Sequence, residues 1–200
     1  MNNNQIIEIF CCPLLISQYK NSLVDEINFL NTLEYEVNGD NNNYKSKDTY
    51  ILKNKNLEKI NSFIQNSLYE YKDMLNAKQS FYITQSWINK NPVNSKHHEH
   101  VHPNSFISGV FYFRLNEKHP PIQFSKTQFD MLKLSYNEWN KYNCEVFTPN
   151  ILTGSLILFP SSLRHSVSLN KSNDIRISLS FNTFIKDSLG SREDLTEVIL

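Results

Sequence analysis

The spacing of apolar residues changes character once, near residue 80, and this change constrains the fold more than any other feature of the chain. Before it, the period is helical. Leu57, Ile60, Ile64, Leu68, Tyr71 and Leu75 step by three or four, which predicts a helix over about 56–77 with one apolar stripe. Leu23, Ile27 and Leu30 predict a shorter amphipathic helix within 20–33. Ahead of it, IIEIFCCPLLISQ (6–18) reads as a strand broken near Pro13, and NGDNNNYKSKD (38–48) as a polar loop. After residue 80 the runs are short, aromatic and β-branched. Strands are predicted over 81–90, 106–115, 121–125, 144–150, 155–161, 164–170 and 175–184. Residues 126–143 permit either a helix, through Phe129, Leu132, Tyr136 and Trp139, or a long insert loop. Helices followed by many short strands imply an α+β chain, mainly β, in which a helical layer covers an antiparallel barrel or sandwich. With no internal repeat and no linker, 1–200 reads as a single domain, with a helical cover at about 19–78 and a β-barrel core at about 81–184.

Composition narrows the function classes. Lysine plus arginine total 20 and aspartate plus glutamate total 20, so the chain lacks the positive field that recruits duplex nucleic acid. Its apolar runs are too short to span a bilayer. Four glycines are too few for a glycine-rich phosphate loop. Cys11 and Cys12 are adjacent and Cys144 stands alone, a usage that fits a reducing compartment. The first residues show no basic stretch followed by an apolar one, so a cytoplasmic location is expected.

Two constellations carry chemistry. Four of the six histidines lie in KHHEHVHPNS, as His97, His98, His100 and His102. In an extended strand His98, His100 and His102 share one face, and His97 and Glu99 the other. Imidazoles two apart on one face can occupy neighbouring positions on one transition metal, with a third ligand from elsewhere in the chain. His165, in the strand-like RHSVSLN, is the candidate, since His119 sits in a proline-flanked loop. The second constellation is IRISLSFN (175–182). Ile175, Ile177, Leu179 and Phe181 alternate with Arg176, Ser178, Ser180 and Asn182, so a polar row faces the barrel interior. A guanidinium held there requires an anion, either a protein carboxylate or a ligand's. The turn-like NKSND (170–174) suggests a hairpin that brings His165 and Arg176 to one small-molecule site.

Three stretches, SWIN…HEHVHPNSFISGVFYF, TGSLILFPSSLRHSV and RISLSFN, together resemble the 2-oxoglutarate- and iron(II)-dependent oxygenases of bacteria and their phages, in the double-stranded β-helix superfamily. The resemblance covers about residues 81–184. It implies a jelly-roll, cupin-like barrel with the N-terminal helices packed on one sheet. It also implies a dioxygenase, a hydroxylase by analogy, that uses Fe(II), O2 and 2-oxoglutarate on a small-molecule or peptide substrate and releases succinate and CO2. Carried over residue by residue, it assigns iron to His100, His102 and His165. It assigns 2-oxoglutarate to Arg176 with Ser178 and Tyr112, and places Asn104 and Asn182 as polar groups lining the cavity. The chain departs from the superfamily's H-x-D/E at His102. Two other ligand sets stay open: His98 with His100, and His97 with Glu99 and His165. Two other functions also stay open, a three-histidine cupin-like metalloenzyme that does not use 2-oxoglutarate and a non-catalytic metal-binding or structural module.

Overall fold

A computed structural model describes residues 5, 6, 8, 11–39, 42–126, 134–186 and 188–200. Two antiparallel sheets face each other. The larger is built from β1 (Leu15–Gln18), β2 (Tyr35–Val37), β3 (Tyr44–Ser46), β4 (Phe81–Asn91), β6 (Ile107–Arg114), β9 (Ser155–Pro160) and β11 (Arg176–Ile185), in the order β1-β9-β6-β11-β4-β3-β2. The smaller joins β5 (His97–His100), β10 (Arg164–Val167), β7 (Ile122–Ser125) and β8 (Val146–Phe147) in that order. A last pair, β12 (Ser188–Leu189) and β13 (Val198–Ile199), stands apart. This is the expected jelly roll.

The alternation in each central strand sorts side chains between two layers. In β11, Ile177, Leu179 and Phe181 face the helical side. They pack there with Ile60, Ile64, Leu68 and Tyr71 of α2 (Glu58–Met74), Leu30 of α1 (Val24–Leu30) and Leu57 just ahead of α2. In β6 and β9, Val110, Tyr112, Ile157 and Phe159 face the other way and meet Ile122 and Phe124 of β7, closing the space between the sheets. The stripe predicted for α2 is therefore its buried face, except that Leu75 lies past the helix end and is exposed.

Several local readings are corrected. In the described part of 6–18 only 15–18 is strand, after Pro13. Residues 38–48 hold more than a loop: β3 pairs with β2 and then with β4, because Tyr44 and Ser46 keep strand alternation within a polar sequence. The predicted helix or loop over 126–143 falls partly on 127–133, outside the described residues; 134–143 is without helix or strand. Finally, β10 and β11 do not form a hairpin. They belong to opposite sheets, and the NKSND turn crosses between them. Asn170 pins that crossing, with its amide nitrogen donating to the carbonyls of Asn91 (2.8 Å) and Asp174 (3.1 Å). His165 and Arg176 thus reach the same interior from facing walls.

Candidate metal and co-substrate site

The histidine-rich strand does not follow simple alternation. His100 pairs with His165, but His97 pairs with Val167, so three residues of β5 span two of β10. This one-residue bulge re-aims the side chains. His97 and His100 both turn inward, their rings stacked at 4.6 Å, while His98 and Glu99 are exposed. Glu99 accepts a hydrogen bond from Ser125 and pairs with Arg164 at 3.5 Å, both on the outer side. The Glu99 alternative is corrected by this geometry, because its carboxylate faces away from His165. The His98–His100 pair fails for another reason: the rings stand 5.2 Å apart, but His98 is exposed and lies outside the cluster of possible ligands.

His102 lies beyond the strand, where its N–H donates to the Ser161 carbonyl at 3.0 Å and so fixes the loop against the β9–β10 turn. From there its Nε2 comes within 3.1 Å of the Nε2 of His165. One nitrogen from each of His100, His102 and His165 lies within 4.8 Å of the others, and among the described residues these three form the one such cluster of possible metal ligands. Two nitrogens at right angles about a metal, each at ~2.1 Å, would stand ~3.0 Å apart, so the His102–His165 separation suits adjacent positions on one ion. The ring tautomers agree for two of the three. His100 Nδ1 and His165 Nδ1 each lie 2.9 Å from a backbone carbonyl, of His98 and Leu163 respectively, which can only accept. Each Nδ1 therefore carries the hydrogen and each Nε2 a lone pair. Burial holds the imidazoles well below their ordinary range, His102 at about 3 and His165 at about 4, so both are neutral and able to ligate at neutral pH. The donor set fits a borderline cation such as iron(II).

Across the same cavity lies Arg176, 2% exposed. Its Nη1 donates to Asn91 Oδ1 (3.0 Å) and Ser178 Oγ (3.3 Å), and its Nη2 to Tyr112 Oη (3.5 Å). Every partner is neutral, and no carboxylate among the described residues pairs with it. Nε has no partner, so Nε–H and one Nη2 hydrogen, neighbours along one edge of the guanidinium, remain to be used. Asn91 Nδ2 and Asn89 Oδ1 are likewise buried without partners, although both residues line this cavity. Buried polar atoms left unpaired are costly, and two of these three, Arg176 Nε and Asn91 Nδ2, are donors, which suits an acceptor with negative charge.

The sequence reading thus placed Arg176, Ser178 and Tyr112 together and missed Asn89 and Asn91. Their signal was available: both stand on the inward face of β4, pairing across with Ser178 and Arg176 of β11. It also missed Trp87 two residues earlier on that face, whose ring stands 6.2 Å from His102 at the cavity wall. Gly109 also lines the cavity, and on the opposite, helical face its lack of a Cβ makes room for the Phe181 ring. Two assignments change. Asn104 is exposed in a turn with φ +57, a left-handed conformation asparagine tolerates, and does not line the cavity. Asn182 contacts His102 and Ser108 and does not face the Arg176 end.

Residues 85–182 match the family model described as "Putative 2OG-Fe(II) oxygenase". No curated protein matches the sequence significantly. Many solved structures share the fold. One is an oxidoreductase of the 2OG-Fe(II) oxygenase family from Burkholderia pseudomallei, with TM-score 0.56 and 17% identity over 79% of this chain and 75% of that one. Another is HygX from Streptomyces hygroscopicus, solved with nickel, 2-oxoglutarate and hygromycin B, with TM-score 0.61 and 9% identity over 86% of this chain and 82% of that one. A third is a prolyl-4-hydroxylase from Pseudomonas putida, with TM-score 0.57 and 10% identity over 86% of this chain and 94% of that one.

Proposed function

The chain belongs to the 2OG-Fe(II) oxygenases, enzymes that use iron(II), 2-oxoglutarate and O2, and from that premise we propose that it hydroxylates a small-molecule or peptide substrate with release of succinate and CO2. The supporting observation is the buried, unmatched charge of Arg176 across one cavity from three convergent imidazoles. A three-histidine metalloenzyme with no use for 2-oxoglutarate has no need of that guanidinium.

His100, His102 and His165 hold the iron through neutral nitrogens. Bound iron(II) with 2-oxoglutarate and O2 supplies an oxidant strong enough to attack a substrate C–H bond. The protein's own part is positioning. The open edge of Arg176 takes the distal carboxylate of 2-oxoglutarate bidentately, with Ser178 and Tyr112 steadying the guanidinium. Asn91 Oδ1 fixes Nη1 and leaves Asn91 Nδ2 as a further donor at that end. Phe124 and Phe159 flank His165, with ring centroids 6.3 and 4.9 Å away, and shield that ring from water. Trp87 and His97 line the remaining space, which a substrate would enter.

The test is a turnover assay of the iron-loaded protein with 2-oxoglutarate, reading succinate by NMR with and without O2. Succinate formed only with iron, O2 and an intact Arg176 supports the proposal. Metal-loaded protein that neither binds 2-oxoglutarate nor forms succinate refutes it.

A further inference from the structure

We infer that Asn182 is a positioning residue for His102, and that the serines behind it, Ser108, Ser161 and Ser105, form a hydrogen-bonded wire that lets its amide turn the accepting end to the imidazole. The inference rests on the three-histidine metal site proposed above. For all three rings to turn an Nε2 lone pair toward one point, each Nδ1 must carry a hydrogen. Backbone carbonyls impose this on His100 and His165. His102 alone depends on a side chain, since its Nδ1 lies 3.4 Å from the Asn182 amide.

An amide has two ends of nearly equal shape, one donating and one accepting. As placed, Asn182 Nδ2 is toward His102 and Ser108 Oγ donates to Asn182 Oδ1 at 2.8 Å. Turning the amide over keeps both contacts and presents Oδ1 to the imidazole, so that His102 Nδ1–H donates to it. Nδ2 then donates to Ser108 Oγ, which must pass its own hydrogen on. The path exists. Ser108 Oγ and Ser161 Oγ are 2.8 Å apart, and Ser161 Oγ and Ser105 Oγ 2.7 Å, where either atom can donate. Ser105 Oγ ends the row by donating to the Ile107 carbonyl at 3.3 Å, while accepting from the Thr183 N–H at 3.2 Å. Every hydroxyl in the row donates once. Ser108 and Ser161 are almost wholly buried, so water does not replace the links.

The experiment is titration of Co(II) into the full-length protein, with 2-oxoglutarate affinity measured separately at saturating metal. Asn182→Leu removes the acceptor and is expected to weaken Co(II) binding about 10- to 100-fold. Asn182→Asp, which can only accept, is expected to bind Co(II) at least as tightly as the natural chain. In both variants 2-oxoglutarate affinity at saturating metal should change by less than about threefold. Ser108→Ala, which cuts the wire but spares the amide, should weaken Co(II) binding by a smaller factor and carries the test if Asn182→Leu does not fold. Unchanged Co(II) affinity in Asn182→Leu and Ser108→Ala overturns the inference, as does a loss confined to 2-oxoglutarate affinity. A natural chain that binds no Co(II) overturns the metal site itself, which is a different failure.

Discussion

Replacing Arg176 with methionine separates a ligand-binding arginine from a structural one, because the two roles predict opposite pairs of results. The side chain is 2% exposed and all of its partners are neutral. With no anionic partner among the described residues, its charge sits out of water without a counter-charge. An apolar chain of similar length removes that cost, and replacing buried ionic groups with well-packed apolar ones is often neutral or stabilising by ~1–4 kcal/mol. Against this, Asn91 Oδ1, Ser178 Oγ and Tyr112 Oη lose a donor, at about 1 kcal/mol each. The net stability change is therefore small. For a chain of this size the melting temperature should stay within about 4 °C of its starting value or rise. Binding moves the other way. Removing one side of a buried, hydrogen-bonded charge pair costs about 2–5 kcal/mol, a loss of about 30-fold to several-thousand-fold in 2-oxoglutarate affinity. Calorimetric titration of 2-oxoglutarate into metal-loaded protein, alongside thermal unfolding without it, reads both quantities. A large drop in melting temperature with unchanged 2-oxoglutarate affinity would refute the reasoning.

Two further outcomes follow from the geometry. Glu99→Gln should leave Co(II) affinity within about twofold of the natural chain, because the β5 bulge turns Glu99 outward to Ser125 and Arg164, while His165→Ala should lower it by at least about 100-fold; equal losses in both would restore Glu99 as a ligand. His119 is buried, its Nδ1 accepts from the Asn116 N–H at 3.2 Å, and burial foremost holds its imidazole below the ordinary range. The neutral form is thus the folded one, and its contribution is whole above pH ~6.5 and shrinks as the pH falls below that value. Thermal unfolding of the natural chain and His119→Gln from pH 7.5 to 5 should show the natural chain losing ground on acidification, and parallel curves would contradict this.

The elements with strong periodicity were legible in the sequence. The α2 stripe and the alternation of β11 each report a surface with two different sides, and the structure uses them that way. Legibility failed where register, not composition, decides. The face assignment in KHHEHVH assumed an unbroken pleat, and a single extra residue in β5 reversed it for His97. No residue type in that stretch announces a bulge. The hairpin expected between His165 and Arg176 failed because a turn looks alike whether the chain folds back within a sheet or crosses to the facing one. Asn89 and Asn91 escaped because asparagine in a strand is ordinarily read as solvent-facing, and their meaning appears only beside Arg176 and Ser178. Asn104 erred in the opposite direction, its place next to the histidines reflecting a turn and not a cavity.

The most direct measurement is anomalous diffraction from crystals grown with Mn(II) and N-oxalylglycine, an unreactive analogue of 2-oxoglutarate. The account predicts one manganese peak bonded to His100, His102 and His165, with the analogue's distal carboxylate paired to the Nε and Nη2 edge of Arg176. A metal bound elsewhere, or an analogue whose distal carboxylate lies away from Arg176, would contradict it.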